Sequence, residues 1–283
     1  MPKVAVVADG THCLPSNLVK EYDIHVAHAS IVIDGKSYRD TELNNDDFWK
    51  LFYQANGRVT SSAAGIGEFY TIFDSLAEST DSIVCIVVSK ELSGTYEFAV
   101  QAAEKVRKEH AKLRIEIIDS KTSAGAMGFV VLETARAAKQ GKKLDEVVRV
   151  AQNVVLRVKL VLGLDTLKYL IRGGRAPKTG YIGELIQVKP IIGSVSGRGV
   201  VELLGKVRGK NRLLLKLAEL VKENTDTGKP VNIMVHYTDG ITAGEELKDI
   251  VATRVKCGEV YLTPLTPAMC SHLGPVVAVA FYS

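Results

Sequence analysis

Ile83-Val84-Cys85-Ile86-Val87-Val88 is an unbroken apolar run of strand length, and Tyr96, Ala99, Ala103 and Val106 follow it at helical spacing. A strand with no polar alternation needs cover on both faces, and a helix directly after it supplies one cover. The pattern recurs. Residues 4–8, 31–33 and 115–118 read as buried strands, while 46–54, 67–76, 95–107 and 124–139 read as helices, and 145–156 adds a last one. Strands alternating with helices predict an α/β fold, a mostly parallel sheet with helices on both faces.

The texture changes near residue 157. Strand-like runs at 159–164, 188–192, 200–207, 231–236, 260–262 and 276–281 crowd together, with shorter helices at 179–186, 211–222 and 242–252. Gly193-Ser194-Val195-Ser196-Gly197-Arg198-Gly199 joins two of the strands as a hairpin-like loop. The expectation is a C-terminal α+β domain, residues 157–283, with a largely antiparallel sheet beside an α/β domain of residues 1–156. A chain of 283 residues is long enough for both.

Charge and cysteine usage exclude several function classes. The net charge of +4 is spread along the chain, with no basic tail for nucleic acid or a membrane surface. Cys13, Cys85, Cys257 and Cys270 include no close pair, which fits reduced thiols in a cytoplasmic protein better than zinc or disulfides. Residues 4–8 end at Asp9, too short for a signal-peptide core, and residues 275–282 are too short to span a bilayer.

Three hydroxyl-rich segments stand where an anion could be held: Thr60-Ser61-Ser62, Leu92-Ser93-Gly94-Thr95-Tyr96 and Asp119-Ser120-Lys121-Thr122-Ser123. Ser93 and Gly94 fall where a strand ends and a helix begins, so unpaired N–H groups and the positive end of the helix dipole face outward. An ordinary helix N-cap explains Ser93 equally well on this segment alone. Asp9-Gly10-Thr11, residues 89–95 and Asp119-Ser120 all fall at strand ends, so they could share one crevice.

Asp165 or Thr166 can cap a short helix that Gly173-Gly174 ends, which leaves Arg172 and Arg175 unexplained. They could bind an anion or a protein partner, or be solvated surface, and Arg208 in Arg208-Gly209-Lys210 poses the same choice. His272 lies in a turn-forming segment before the last strand. The histidines show no metal-ligand spacing on one helix face, and no G-x-S-x-G or P-loop is present. A Ser93–His272 nucleophile–base pair, serving a small-molecule hydrolase or acyltransferase, is arithmetically open but has no orienting acid.

Taken in order, these segments resemble the DegV family of bacterial fatty-acid-binding proteins. The resemblance is carried by Asp9 with Leu14-Pro15, Thr60-Ser61, Leu92-Ser93-Gly94-Thr95-Tyr96, Asp119-Ser120, Leu164-Asp165-Thr166-Leu167, Gly173-Gly174-Arg175, Lys189-Pro190 and His272-Leu273-Gly274-Pro275. It implies a non-catalytic carrier holding one long-chain fatty acid, such as palmitate, stearate or oleate, between its two domains. The carboxylate would meet Thr60, Ser61, Ser93 and Gly94, with His272 near the head group. Phe129, Ile182, Ile186 and Ile191 are candidates for the acyl tunnel. A fatty acid kinase is the implied partner, with Arg172, Arg175 and Arg208 as candidate docking residues. Two departures are Ser62-Ala63 where the family carries Gln-Pro, and Val276 where a glycine is common.

Overall fold

A computed structural model describes residues 4–177, 188–226 and 228–283. The first half supplies strands β1 (Val4–Asp9), β2 (Ile24–Ala27), β3 (Ser30–Ile33), β4 (Lys36–Arg39), β5 (Val59–Ser62), β6 (Ser82–Val87) and β7 (Arg114–Asp119). Its helices are α1 (Ser16–Glu21), α2 (Asn45–Gln54), α3 (Ile66–Ala77), α4 (Thr95–Glu109), α5 (Ala124–Lys139) and α6 (Leu144–Val155). Strands β2-β1-β6-β7 form a parallel sheet, and β4-β3-β5 form a small antiparallel one.

The second half supplies β8 (Lys159–Leu164), β9 (Val188–Ser194), β10 (Glu202–Arg208), β11 (Val231–Tyr237), β12 (Cys257–Pro264) and β13 (Val276–Tyr282), with α7 (Lys168–Arg172), α8 (Lys210–Glu223), α9 (Thr242–Ala252) and α10 (Pro267–Leu273). Their sheet has the order β10-β9-β8-β13-β11-β12. All its neighbours pair antiparallel except β11 with β12, which run parallel because α9 carries the chain across between them. The expected helix over 179–186 lies outside the described residues.

Alternation along the buried strands explains the layers. In β1 and β6, Val4, Val6, Ala8, Val84 and Ile86 face α5 and α6, while Ala5, Val7, Ile83, Cys85 and Val87 face α3 and α4. The six-stranded sheet divides the same way. Leu160, Leu162 and Ala278 join the core around α5, and Val161, Val277 and Val279 join the core under α8 and α9. Helix α5 therefore lies between the two sheets. That position accounts for a sequence apolar on nearly every side, since a helix hydrophobic all round must be buried all round.

Local chemistry sets the helix starts. The Asn44 side chain accepts from Asp47 N–H at 2.9 Å, and Asp46 and Asp47 sit favourably in the first turn of α2. Phe48, Trp49 and Phe52 recur on one face of that helix and are buried. No helix among the described residues is long and apolar enough to cross a membrane. All four cysteines are free thiols.

Candidate functional site

The carboxyl ends of β1 and β6 open into a cavity of about 230 Å³. This is where ligands of parallel sheets commonly lie. Asp9, Gly10 and Thr11 enter its wall from the end of β1, and Leu92, Ser93, Gly94 and Thr95 enter from the β6–α4 connection. Ser61, Ser62, Ser93 and Thr95 share the lining with apolar Leu92, Phe98, Leu170, Met269 and Leu273. Of the third hydroxyl-rich segment only Ser123 reaches the wall; Asp119 and Ser120 do not line it.

Ser93 stands one residue before Gly94, which is the N-cap of α4. Its Oγ accepts from Thr95 N–H at 3.3 Å and shares a hydrogen bond with Thr95 Oγ1 at 2.8 Å. Ser93 thus serves the helix start and lines the cavity at once. Helix α4 runs 15 residues, so the positive end of a full-length dipole faces the same space.

Ser61 and His272 meet across the cavity, with Oγ and Nε2 2.7 Å apart. Burial, then the nearby Arg175 and Arg172 guanidiniums, push the His272 pKa down to about 4. The imidazole is neutral near pH 7 and offers one donor and one acceptor. Its Nδ1 side rests on Gly173, where a Cβ would come within 2.7 Å of the nitrogen. Any larger residue there would push the ring out of line with Ser61. His272 closes the last turn of α10, a correction to the turn expected from its sequence.

Thr60 stands apart from this group. Thr60-Ser61-Ser62 belongs to strand β5, and successive side chains of a strand point to opposite faces. Ser61 faces His272, whereas exposed Thr60 borders a separate shallow depression with Asp34, Arg58 and Arg172. Of the two β5 residues named for the carboxylate, Ser61 lines the cavity and Thr60 does not.

The arginines also separate. Arg175 lines the cavity and donates through Nε to Leu92 O at 3.1 Å and through a terminal nitrogen to Gly173 O. That ties the end of α7 to the loop carrying Ser93 and sets Arg175 in the cavity wall. Arg172 is exposed, donates to Gly57 O and lies 5.5 Å from the Tyr169 ring centre. Arg208 is exposed in a shallow basic depression with Lys206 and Arg212.

The tunnel candidates fare differently. Phe129 is buried against Tyr282 and Tyr261, with ring centres 5.0 and 6.3 Å away, and is not among the residues that line the cavity. Ile191 is buried in the core under α8. Both are core packing here. Ile182 and Ile186 lie outside the described residues. Asp9 and Thr11 line the cavity as their strand-end position suggested, and Phe98 and Met269 line it without having been singled out.

Comparison with known proteins fits this geometry. The family model described as "Uncharacterised protein, DegV family" matches residues 3–283. A DegV domain-containing protein of Clostridium perfringens is 31% identical over 255 residues, covering 89% of this chain and 88% of that protein. One from Caldanaerobacter subterraneus subsp. tengcongensis is 30% identical over 284 residues, covering 100% and 99%. Among solved structures, a DegV family protein from Thermus thermophilus, described by its fatty acid binding, superposes with a TM-score of 0.90 at 22% identity, covering 99% of each chain. DegV from Bacillus subtilis, described as a fatty acid binding protein, gives 0.87 at 24%, covering 100% of this chain and 99% of that one. A stearic acid-binding protein from Eubacterium ventriosum gives 0.90 at 20%, covering 100% and 98%. At these identities the structures establish the fold. The family match and the two relatives establish that the chain belongs to the DegV family.

Proposed function

We propose that this chain, a DegV-family member over its whole length, holds a long-chain fatty acid in the cavity at the ends of β1 and β6. The carboxylate would lie among Ser61, Ser93, the Gly94 end of α4 and His272, with Arg175 as the nearby cation. The observation that carries the reading is one cavity where hydroxyls, a helix N-terminus and apolar side chains meet. Each buried methylene gains about 0.8 kcal/mol, so the acyl chain supplies most of the favourable energy. The carboxylate is the costly end, because burying it without hydrogen bonds is strongly unfavourable. Fatty acid bound in related proteins supports the same assignment.

The cavity is smaller than the roughly 300–1,000 Å³ usual for small-molecule sites, so a long chain is expected to widen it on entry. Met269 and Val201 are candidates for that movement, Met269 because its unbranched side chain adapts readily. In the same reading residues 1–156 and 157–283 act as two domains with the ligand between them. A cytoplasmic fatty acid kinase would receive the lipid, and Arg208 with its basic neighbours remains the candidate docking face.

Ser61 bonded to His272 is the pairing a hydrolase or acyltransferase would need, in place of Ser93 with His272. A histidine with a pKa near 4 is a weak general base at pH 7, and among the described residues no carboxylate is bonded to its other nitrogen. The carrier reading therefore has the better support. Turnover of short p-nitrophenyl esters that disappears in Ser61→Ala would reverse this preference.

Native mass spectrometry of the freshly purified protein tests the proposal directly. The expected mass includes one long-chain fatty acid; only apo mass, with no uptake of palmitate or oleate, would sink it. Ser61→Ala combined with Ser93→Ala is expected to weaken palmitate binding by a factor of ten or more. Each hydrogen bond to a charged group contributes about 1.5–3 kcal/mol. Thr60→Ala is expected to leave affinity unchanged. The reverse order of effects in a fluorescent competition assay would move the head group to the outer face of β5.

A further inference from the structure

We infer that Asp9 is a positioning residue for this site: it fixes the loop that carries Ser93, and so controls retention of an acidic head group to which it donates nothing. The inference rests on the fatty-acid reading above.

Asp9 ends β1, is 3% exposed and lines the cavity. Its Oδ1 accepts from Thr11 N–H at 2.8 Å and Thr11 Oγ1 at 2.5 Å, and its Oδ2 accepts from Val88 N–H at 2.6 Å. Val88 directly follows β6. The next residue, Ser89, is fully buried and donates its N–H to Thr122 O at 2.9 Å. Its carbonyl in turn accepts from Leu92 N–H at 2.9 Å and Ser93 N–H at 3.2 Å. Hydrogen bonds and covalent links therefore run without a break from the Asp9 carboxylate to Ser93.

Three protein donors occupy both carboxylate oxygens, an arrangement suited to the ionised form. Burial pushes the Asp9 pKa upward, the Thr11 and Val88 bonds hold it down, and Asp40 adds a further upward push. A charge at this place repels an acidic ligand. Any support Asp9 gives to binding must then be geometric, and the two effects have opposite signs when the charge is removed. Asparagine has the same shape, yet its amide nitrogen would face an N–H or hydroxyl donor where an acceptor is needed.

Palmitate and hexadecanol separate the roles, since they share a chain and differ in the head group. In Asp9→Asn the dissociation constant for palmitate is expected to rise about tenfold while that for hexadecanol changes less than about twofold. Amide exchange at Val88 should quicken in parallel. Unchanged or tighter palmitate binding would show that Asp9 acts only as a charge, and equal losses for both ligands would show a general structural role; either overturns the inference. If Asp9→Asn fails to fold, Thr11→Val removes one donor to the carboxylate. It should weaken palmitate about threefold and spare hexadecanol, and equal losses would again overturn the idea. A wild-type protein that binds neither ligand defeats the fatty-acid reading instead. Val88 exchange in the variants then still decides whether Asp9 holds the loop.

Discussion

Gly125→Ala is expected to destabilise the protein by about 2–6 kcal/mol, from overpacking and a lost buried hydrogen bond at about 1–3 kcal/mol each. Gly125 is the second residue of α5, and its N–H donates to Nε2 of His236 at 2.9 Å. The Nδ1 of that histidine lies 3.2 Å from Thr263 O, which makes Nδ1 the protonated nitrogen and Nε2 the acceptor. A Cβ on Gly125 would overlap His236 Nε2 and come within 2.8 Å of Met234 Sδ. The His236 ring, bonded at both nitrogens, cannot retreat easily, whereas the unbranched Met234 side chain can shift. Both belong to β11, held between β12 and β13 by backbone ladders on each side.

The clash would therefore move α5 away from the six-stranded sheet. Because α5 also covers the parallel sheet, the shift would reach the strand ends that form the cavity. Urea unfolding gives the size of the loss, and a double-mutant cycle gives its cause. His236→Ala should absorb much of the Gly125→Ala penalty by removing the ring the new methyl meets. A Gly125→Ala protein with an unchanged urea midpoint would mean that α5 does not pack on β11 in this way.

How much of this could be read from the chain depends on how each element is buried. Strands β1 and β6 are covered on both faces, so their unbroken apolar runs announced them, and with them the parallel sheet and the helices around it. Strands β2 and β5 gave no such signal. β2 carries His25, and β5 is mostly hydroxyls with exposed Thr60 and Ser62. Missing β5 had a direct cost at the site. The distinction between Thr60 and Ser61 follows from strand alternation and cannot be drawn from the run of hydroxyls alone.

Helix α10 escaped for a related reason. It is seven residues long and Gly274-Pro275 follow at once, so the segment around His272 reads as a turn. The glycine and hydroxyl at the start of α4 were legible because the strand–helix junction fixes where they point. Arg175 was not, since a cation three residues after a short helix points inward only when another part of the chain, here Leu92 O, receives it. Phe129 and Ile191, chosen for the tunnel by apolarity alone, lie in the core, because apolarity reports burial and says nothing about an adjoining cavity.

Lowering the pH from 6.5 to 4 is expected to remove several kcal/mol of stability, up to about 3 kcal/mol from each of three histidines. His12, His236 and His272 are each held near pKa 4, against an ordinary value of 6.5, with burial the largest cause in every case. Between those values the unfolded chain binds protons at these positions and the native protein does not, so stability rises with pH across the window. Their contribution is complete above about pH 6.5 and is lost as the pH falls through 4. Glu202 and Glu259, held below their ordinary value, are also lost on the acid side. Asp9 opposes them, because its raised pKa lets the folded state take a proton more readily than the unfolded one.

The slope of unfolding free energy against pH should approach three protons near pH 5, and His272→Gln should reduce it by about one. Stability that stays flat from pH 6.5 to 4.5 would contradict the buried neutral histidines. Ligand adds a further sign. A carboxylate placed beside His272 favours the charged imidazole and raises its pKa, so loaded protein should lose less stability at pH 5 than the apo form. His12 and His236 do not line the cavity and should titrate alike in both. The difference between the two pH profiles is then a measure of how close the acid head group comes to His272.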